Sequence, residues 1–129
     1  MILLDSHVLI WAVSDSRRLS GAAATAIRRA RVGGGVAVSA ISAYEVAWQI
    51  ANGRVQGYGT VEASLLRFLD GVTVRPITPE IAVLATQFPD DYPHDPADRI
   101  IGATARAEGM TLVTRDERIR RSPLVRTVW

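Results

Sequence analysis

The sequence predicts an α/β fold in which helices cover both faces of a mostly parallel central sheet, forming a three-layer sandwich over residues 1–129. Three observations predict it. Short apolar stretches of strand character alternate with longer amphipathic segments, the connections between them are short, and the chain has no internal repeat, linker or low-complexity tract. A chain of 129 residues is also the size of one ordinary domain.

Five stretches have the composition and length of strands. Ile2-Leu3-Leu4 and Thr111-Leu112-Val113-Thr114 are apolar runs typical of strands that are buried on both faces, and Val72-Thr73-Val74 alternates as a strand does. The predicted strands span residues 1–5, 36–39, 72–74, 111–114 and 124–128, the last of them at an edge of the sheet.

Start and stop signals mark the helices of the first half of the chain. Ser20 opens an Ala-rich amphipathic helix that should end near Gly33. Ser42 with Glu45 three positions later has the spacing of a capping box, in which each side chain bonds the other residue's backbone N–H. The helix that this pair opens should end at Asn52.

The second half contains three further helical segments. One element runs from about Thr60 to Leu69, and Thr78-Pro79 combines an N-cap residue with proline at the first helical position. The helix opened by Thr78 should end before Pro89. Asp95-Pro96 opens another helix, which Gly109 should close at a C-terminal cap position.

The composition excludes several classes of protein. Hydrophobic residues make up 48% of the chain, so a disordered polar chain is excluded, and no apolar run reaches the roughly 18 residues of a spanning helix. The residues after Met1 lack the basic start and long apolar stretch of a secretory signal. The absence of cysteine rules out disulfides and thiolate metal ligands. We therefore expect a cytoplasmic protein.

All fifteen basic residues are arginine, and the formal net charge is +2. The planar guanidinium group binds phosphate or carboxylate in a forked geometry. If several of the acids line one site, the remaining surface is more basic than the net charge suggests. The arginines could contact nucleic acid, bind an acidic protein partner or simply solvate helix faces, and the sequence does not choose between these roles.

Four acidic residues predict a divalent-metal site: Asp5, Glu45, Asp98 and Asp116. Asp5 and Asp116 each follow a predicted strand, while Glu45 and Asp98 fall in the first turns of predicted helices. In an open α/β sheet, such strand ends and helix starts meet at one crevice. Carboxylates brought together there repel one another, and a bound cation allows them to stay ionised.

Each acid also has a purely structural explanation. Glu45 could be the second half of the capping box, and Asp98 could be favoured by the positive end of the helix dipole. Asp5 and Asp116 could cap the helices that follow them, as Asp95 should do before Pro96. These explanations are weaker together than singly, because four acidic helix starts would have to share one rim of the sheet by accident.

Four motifs resemble those of the PIN-domain ribonucleases, and most closely the VapC-type toxins of type II toxin–antitoxin systems. The resemblance covers nearly the whole chain, and the ordered set is far more specific than any single motif. The motifs are LLDSHVLIW at 3–11, SAISAYEVAW at 39–48, HDPADRIIGATA at 94–105 and LVTRDERI at 112–119.

The resemblance implies a PIN-like fold and an endoribonuclease that hydrolyses RNA phosphodiesters through a water activated by Mg²⁺ or Mn²⁺. Asp5 and Asp98 would be direct metal ligands, and Glu45 and Asp116 would complete the acidic quartet. Ser6 would orient a carboxylate or a metal-held water. The expected partners are an RNA substrate, a cognate antitoxin held by the helices around residues 42–69, and a second copy of the chain in a homodimer.

Smaller roles follow for neighbouring residues. Arg99 could contact phosphate, or it could form a salt bridge that orients Asp95 or Asp98. His7 and His94 lie near the acids, but a metal-activated water makes a histidine base unnecessary, so neither is assigned a role.

Two rival functions belong to other classes. A receiver-like signalling domain also gathers acids and Mg²⁺ at strand ends, but it needs a lysine beside the acyl phosphate, and this chain has none. A non-catalytic binding module could retain a PIN-like fold for partner contact. The presence of acids at all four motif positions argues against that alternative without eliminating it.

Overall fold

A computed structural model describes all 129 residues of the chain. The five strands are β1 (Ile2–Leu4), β2 (Val36–Ser39), β3 (Val72–Arg75), β4 (Thr111–Val113) and β5 (Thr127–Val128). The seven α-helices are α1 (Ser6–Ser14), α2 (Gly21–Val32), α3 (Ala40–Ala51), α4 (Val61–Phe68), α5 (Pro79–Ala85), α6 (Pro96–Glu108) and α7 (Glu117–Arg120). A short 3-10 turn, Ser16–Arg18, follows α1.

The strands form one sheet in the order β3-β2-β1-β4-β5, and every neighbouring pair is parallel. The central strand β1 pairs with β2 through Ile2 and Val36, and with β4 through Leu4 and Val113. The chain first builds the sheet outward from β1 to β3, then returns to the other side of β1 for β4 and β5. The order therefore reverses between β1 and β4, which is where ligands bind in open α/β sheets.

Alternation along the strands divides the core between the two faces of the sheet. Leu3 and Leu112 belong to a cluster that packs under α5 and α6, whereas Leu4 and Val113 belong to a second cluster under α1, α2 and α4. Since successive strand residues point to opposite faces, each buried strand serves both clusters. The predicted sheet with helices on both faces is confirmed.

Helix ends follow the predicted signals at most positions. The side chains of Ser20, Thr60, Thr78 and Asp95 each accept a hydrogen bond from a first-turn N–H. Gly109 ends α6 in a left-handed conformation, with φ of 65°, which glycine adopts without steric cost.

Two predicted boundaries are wrong. The α3 helix starts three residues earlier than predicted because Ser39, the last residue of β2, is its N-cap and accepts from the N–H of Ile41. The Ser42–Glu45 capping box therefore does not form, and Glu45 lies in the second turn. The β5 strand is also shorter than predicted, because only Thr127–Val128 pair with β4.

The longest helix, α6, has 13 residues. None of the helices combines the length and the apolar character needed to cross a membrane.

Candidate active site

The candidate site lies at the carboxyl edge of the sheet, where β1 and β4 end side by side. Leu4 pairs with Val113 in parallel register, and the N–H of Asp5 donates to the carbonyl of Val113 at 3.0 Å. The register consequently brings the residues after both strands together. Asp5 follows β1 directly, and Asp116 follows β4 after two residues.

The hydroxyl of Thr114 links these two acids. Thr114 is fully buried; its Oγ1 donates to Asp5 Oδ2 at 2.8 Å and accepts from the N–H of Asp116 at 3.1 Å. The other oxygen of Asp5, Oδ1, accepts from the N–H of Ser6 at 2.8 Å. Each oxygen of Asp5 therefore has one protein donor, which fixes the plane of the carboxylate and leaves further lone pairs free.

Glu45 reaches the same edge from α3. Its Oε1 lies 2.6 Å from Ser6 Oγ, which lies 2.9 Å from Ser42 Oγ. A hydroxyl carries one proton, so we assign the Ser6 proton to the charged Glu45 oxygen and the Ser42 proton to Ser6. Both serines are buried, at 3% and 0% exposure. The chain Ser42–Ser6–Glu45 thus couples the first turn of α1 to α3.

Asp98 approaches from the first turn of α6. Pro96 occupies the first helical position, and Asp95 caps the helix by accepting from the N–H of Ala97 at 2.9 Å. Asp98 is half-buried, and its carboxylate accepts no hydrogen bond from another residue, in contrast to those of Asp5, Glu45 and Asp95. It is the acid that the protein holds least directly.

Burial and mutual repulsion raise the pKa values of three of these acids. Burial raises the pKa of Asp5, and the hydrogen bond from Thr114 opposes that rise. Burial also raises the pKa of Glu45, against the bond from Ser6. Burial, followed by the charges of Asp5, Asp95, Asp116 and Glu45, raises the pKa of Asp98 to about 7. The same charges act on Asp98 from three other elements, so the acids share one electrostatic environment.

No basic side chain neutralises this cluster. The only salt bridges in the chain join Arg17 to Asp15 and Arg75 to Glu108, both outside the site. Carboxylates that repel one another without a counter-ion are the oxygen donors that Mg²⁺ and Mn²⁺ prefer.

The side chains do not form a finished metal cage. No three His, Asp or Glu residues stand in a ligand arrangement of their own. Mg²⁺ keeps several waters and needs only one or two direct carboxylates, so the donor set fits such an ion without a closed cage.

Of the two roles predicted for Arg99, the salt bridge to an acid is wrong, and the contact with a phosphate stays a prediction. Arg99 forms no salt bridge with Asp95 or Asp98, and its guanidinium donates instead to the carbonyls of the loop before α6. The fourth position of α6 places this side chain against the loop rather than over the acids. Its acceptors are Phe88, Pro89, Tyr92 and Pro93.

Two residues that the sequence analysis did not assign to the site belong to the network, Thr114 and Ser42. Thr114 could have been found from parallel pairing, because the residue after Val113 must lie beside Asp5. Ser42 lies three positions before Glu45 and hence on the same side of α3. The spacing of Ser42 and Glu45 was visible in the sequence, but the capping-box interpretation made Ser42 the N-cap of the helix.

Comparison with known proteins finds a matching family model and a related protein of nearly the same length. The family model for the PIN domain matches residues 2–123. The protein named ribonuclease VapC22, from Mycobacterium tuberculosis strain H37Rv, is 43% identical over 130 residues, which cover 99% of this chain and 98% of the relative.

Solved structures with the same fold come from toxin–antitoxin complexes. VapBC2 from Rickettsia felis, bound to a promoter DNA fragment, matches with a TM-score of 0.74 at 16% identity, covering 99% of this chain and 98% of that one. A toxin–antitoxin complex from Klebsiella pneumoniae matches with a TM-score of 0.72 at 22% identity, covering 100% and 97%. At these identities the likeness concerns the fold.

Proposed function

This chain belongs to the PIN-domain family, and from that membership we propose that it is a divalent-metal-dependent endoribonuclease that acts as the toxin of a toxin–antitoxin pair. The relative that is 43% identical over nearly the full length is a ribonuclease by name, and the structural neighbours are complexes of toxins with antitoxins. Fold alone does not determine function, so the proposal depends on the site as well.

One observation carries the proposal: acids from four separate parts of the chain gather at the reversal point of the sheet without a cationic partner. An RNA phosphate could not approach such a cluster unaided, because like charges repel in a partly buried site. Mg²⁺ or Mn²⁺ would supply the missing positive charge, stabilise charge on the phosphate and lower the pKa of water. Asp5 and Asp98 are the proposed direct ligands, with Glu45 and Asp116 beside them.

The residues around Asp5 hold its carboxylate ready for this role. Thr114 Oγ1 and the N–H of Ser6 each donate to one of its oxygens, at 2.8 Å, so the group cannot rotate freely. Preorganised charge is effective because no reorganisation is needed when the substrate binds. Asp98, which no hydrogen bond restrains, is the acid free to adjust to an ion.

Glu45 is the proposed acid on the nucleophile side. Ser6 holds one of its oxygens at 2.6 Å, and the other oxygen remains available for a water. Burial raises its pKa, which makes it a better proton acceptor than a solvent-exposed carboxylate. Asp116 caps α7 through its Oδ1, which accepts from the N–H groups of Arg118 and Ile119, so its second oxygen can face the site.

A protein partner and a second copy of the chain are part of the proposal. Large apolar side chains are exposed along α3 and α4, a region that an antitoxin or a second protomer would cover. They include Tyr44 (63% exposed), Trp48 (43%), Val61 (40%) and Leu66 (61%). An unmasked ribonuclease would damage its own cell, which is the reason for expecting an antitoxin.

The function is tested by RNA cleavage with and without divalent ions. The wild-type chain should cleave RNA in Mg²⁺ or Mn²⁺ and stop when EDTA is added. Asp98→Asn should lower the rate by about 100-fold or more, because it removes a charge that holds the ion while conserving the shape of the side chain. Asp70→Asn, in an exposed turn far from the cluster, is the matched control and should retain full activity.

Thermal unfolding separates an enzyme from a binding module. Mg²⁺ should raise the melting temperature of the wild-type chain, and Asp5→Asn should abolish that rise. A protein that is stabilised by Mg²⁺ but never cleaves RNA would be a binding module. Unchanged cleavage by Asp98→Asn would contradict the proposed mechanism.

A further inference from the structure

A groove of about 510 Å³ runs beside the acidic cluster, between α1, the end of α3, the connection 52–60 and α4. We call it the α1–α4 groove. Its volume lies within the roughly 300–1,000 Å³ that is usual for ligand sites. Its lining includes His7, Trp11, Arg18, Gln49, Arg54, Tyr58 and Arg67.

Three arginines of the α1–α4 groove are each placed over an aromatic ring. The guanidinium carbon of Arg18 lies 4.6 Å from the ring centre of Trp11, and that of Arg67 lies 4.7 Å from the ring centre of Tyr58. Arg54 lies 5.2 Å from the ring centre of Trp48. A guanidinium stacked on a ring keeps its N–H edges free for an anion.

The same arginines have no acceptor within the protein. Arg18, Arg54 and Arg67 take part in no salt bridge and no side-chain hydrogen bond, whereas Arg75 is bound by Glu108. The one acid lining the groove, Asp15, is paired with Arg17 at 3.1 Å. The groove therefore presents three positioned cations that lack an anion.

The groove and the acidic cluster are adjacent along α1 and α3. His7 lines the groove and directly follows Ser6, whose hydroxyl binds Glu45. Gln49 lines the groove one turn after Glu45 on α3 and so lies on the same side of that helix. A strand bound at the acids therefore has the groove as its neighbouring surface.

We propose that the α1–α4 groove binds the unpaired RNA strand on one side of the cleaved bond, an inference that rests on the proposed ribonuclease function. The arginines bind successive phosphates, and Tyr58, which is 59% exposed, offers a ring for base stacking. Paired RNA presents its bases to each other rather than to such rings, so the groove selects unpaired strands. The excess of positive charge favours RNA over a protein helix as the occupant.

The test measures binding of a fluorescent ten-nucleotide oligouridylate in EDTA, so that no cleavage occurs. Arg54→Gln/Arg67→Gln should weaken binding by about tenfold or more, since charge-assisted hydrogen bonds are lost. It should also flatten the dependence of log Kd on log salt concentration by about 0.7 for each phosphate contact removed. Both arginines are exposed, so the variant should fold; far-ultraviolet circular dichroism checks this, and Arg54→Gln alone is the fallback.

The matched control is Arg29→Gln/Arg31→Gln, which removes the same charge from exposed positions on α2. Arg29 lies beside Met1 and Gly34, at the amino ends of the strands and away from the acids. This variant should keep the wild-type salt dependence. A perfectly paired RNA duplex should bind the wild-type chain more weakly than the oligouridylate.

The outcomes separate the two proposals. If the wild-type chain neither binds nor cleaves RNA, the ribonuclease function itself fails. If it does both and the groove variant binds as tightly with the same salt dependence, only the groove assignment is overturned, and the surface is left for a protein partner. An equal loss in the α2 control would also overturn it, because binding would then follow net charge alone.

Discussion

Two regions meet at the start of α6, and they differ in whether their charged group has partners of opposite polarity within the protein. On one side, the guanidinium of Arg99 donates to four loop carbonyls, at 2.9 Å to Pro93, 3.0 Å to Phe88, 3.2 Å to Pro89 and 3.4 Å to Tyr92. On the other side, the carboxylate of Asp98 faces further carboxylates with no cation among them. The charge of Arg99 is thus balanced by hydrogen-bond acceptors, whereas the charge of its neighbour Asp98 has no partner within the protein.

The difference separates a stabilising region from a functional one. In the loop of residues 88–93, the carbonyls of Phe88, Tyr92 and Pro93 accept from Arg99 alone, whereas that of Pro89 also accepts from the N–H of Tyr92 at 3.1 Å. One cation therefore satisfies three carbonyls that would otherwise lack a donor. Gly102 lets this loop pack closely, since a Cβ there would lie 3.0 Å from Phe88 Cζ. The acidic cluster retains unfavourable repulsion in the folded chain as long as its members are ionised, and a bound cation or protonation of one acid removes it.

The largest effect on this contrast should come from removing the guanidinium of Arg99. Arg99→Gln should lower the free energy of unfolding by about 2–3 kcal/mol, because half-buried carbonyls lose a charged donor. Arg99→Lys should recover only part of the lost free energy of unfolding, since an ammonium group cannot span four acceptors. Urea unfolding measures both variants.

The matched control is Arg29→Gln, an exposed arginine with no hydrogen bond to lose. It should stay within about 0.5 kcal/mol of the wild-type chain. An equally small loss for Arg99→Gln would mean that water replaces the guanidinium in the loop at no cost.

Removing the charge of Asp98 should have the opposite effect on stability. In metal-free protein at pH 8, Asp98→Asn should raise the free energy of unfolding by about 1–2 kcal/mol, a range reduced for solvent screening. The pKa of Asp98 is raised from 3.8 to about 7 in the folded chain, so its protonated form favours folding. That contribution is complete below about pH 4 and is lost as the pH rises through about 7.

The gain should therefore depend on pH. Urea unfolding in EDTA should give a larger difference between Asp98→Asn and wild type at pH 8 than at pH 5. Asp70→Asn, an exposed acid, should give no such trend. A stability gain of the same size at both pH values would show that ionic repulsion is not its cause.

How far the sequence could predict this contrast depends on the range of the interactions. The strands, most helix starts and the four acids were visible, because apolar runs, cap residues and proline act locally. Asp95 is the cap that its position before Pro96 predicts. Parallel pairing of β1 with β4 then brings Asp5 and Asp116 to one edge.

The parts that the sequence could not predict depend on side-chain direction. Ser39 and Ser42 are both plausible caps, and only the end of β2 decides that Ser39 takes the role. Arg99 has carboxylates one and four positions before it, yet it turns to carbonyls 6 to 11 residues away. Local sequence contains no information on where that loop returns.

The smallest expected effect tests whether the serines position Glu45 or only fill space. Ser42→Ala removes the donor to Ser6 but leaves the Ser6–Glu45 bond, so RNA cleavage should fall only a few-fold and stability by about 1 kcal/mol. Ser6→Ala removes the bond to Glu45 itself and should cost more activity. Since Ser42 acts through Ser6, the double variant should be no worse in kcat than Ser6→Ala alone, whereas independent roles would make the two losses multiply.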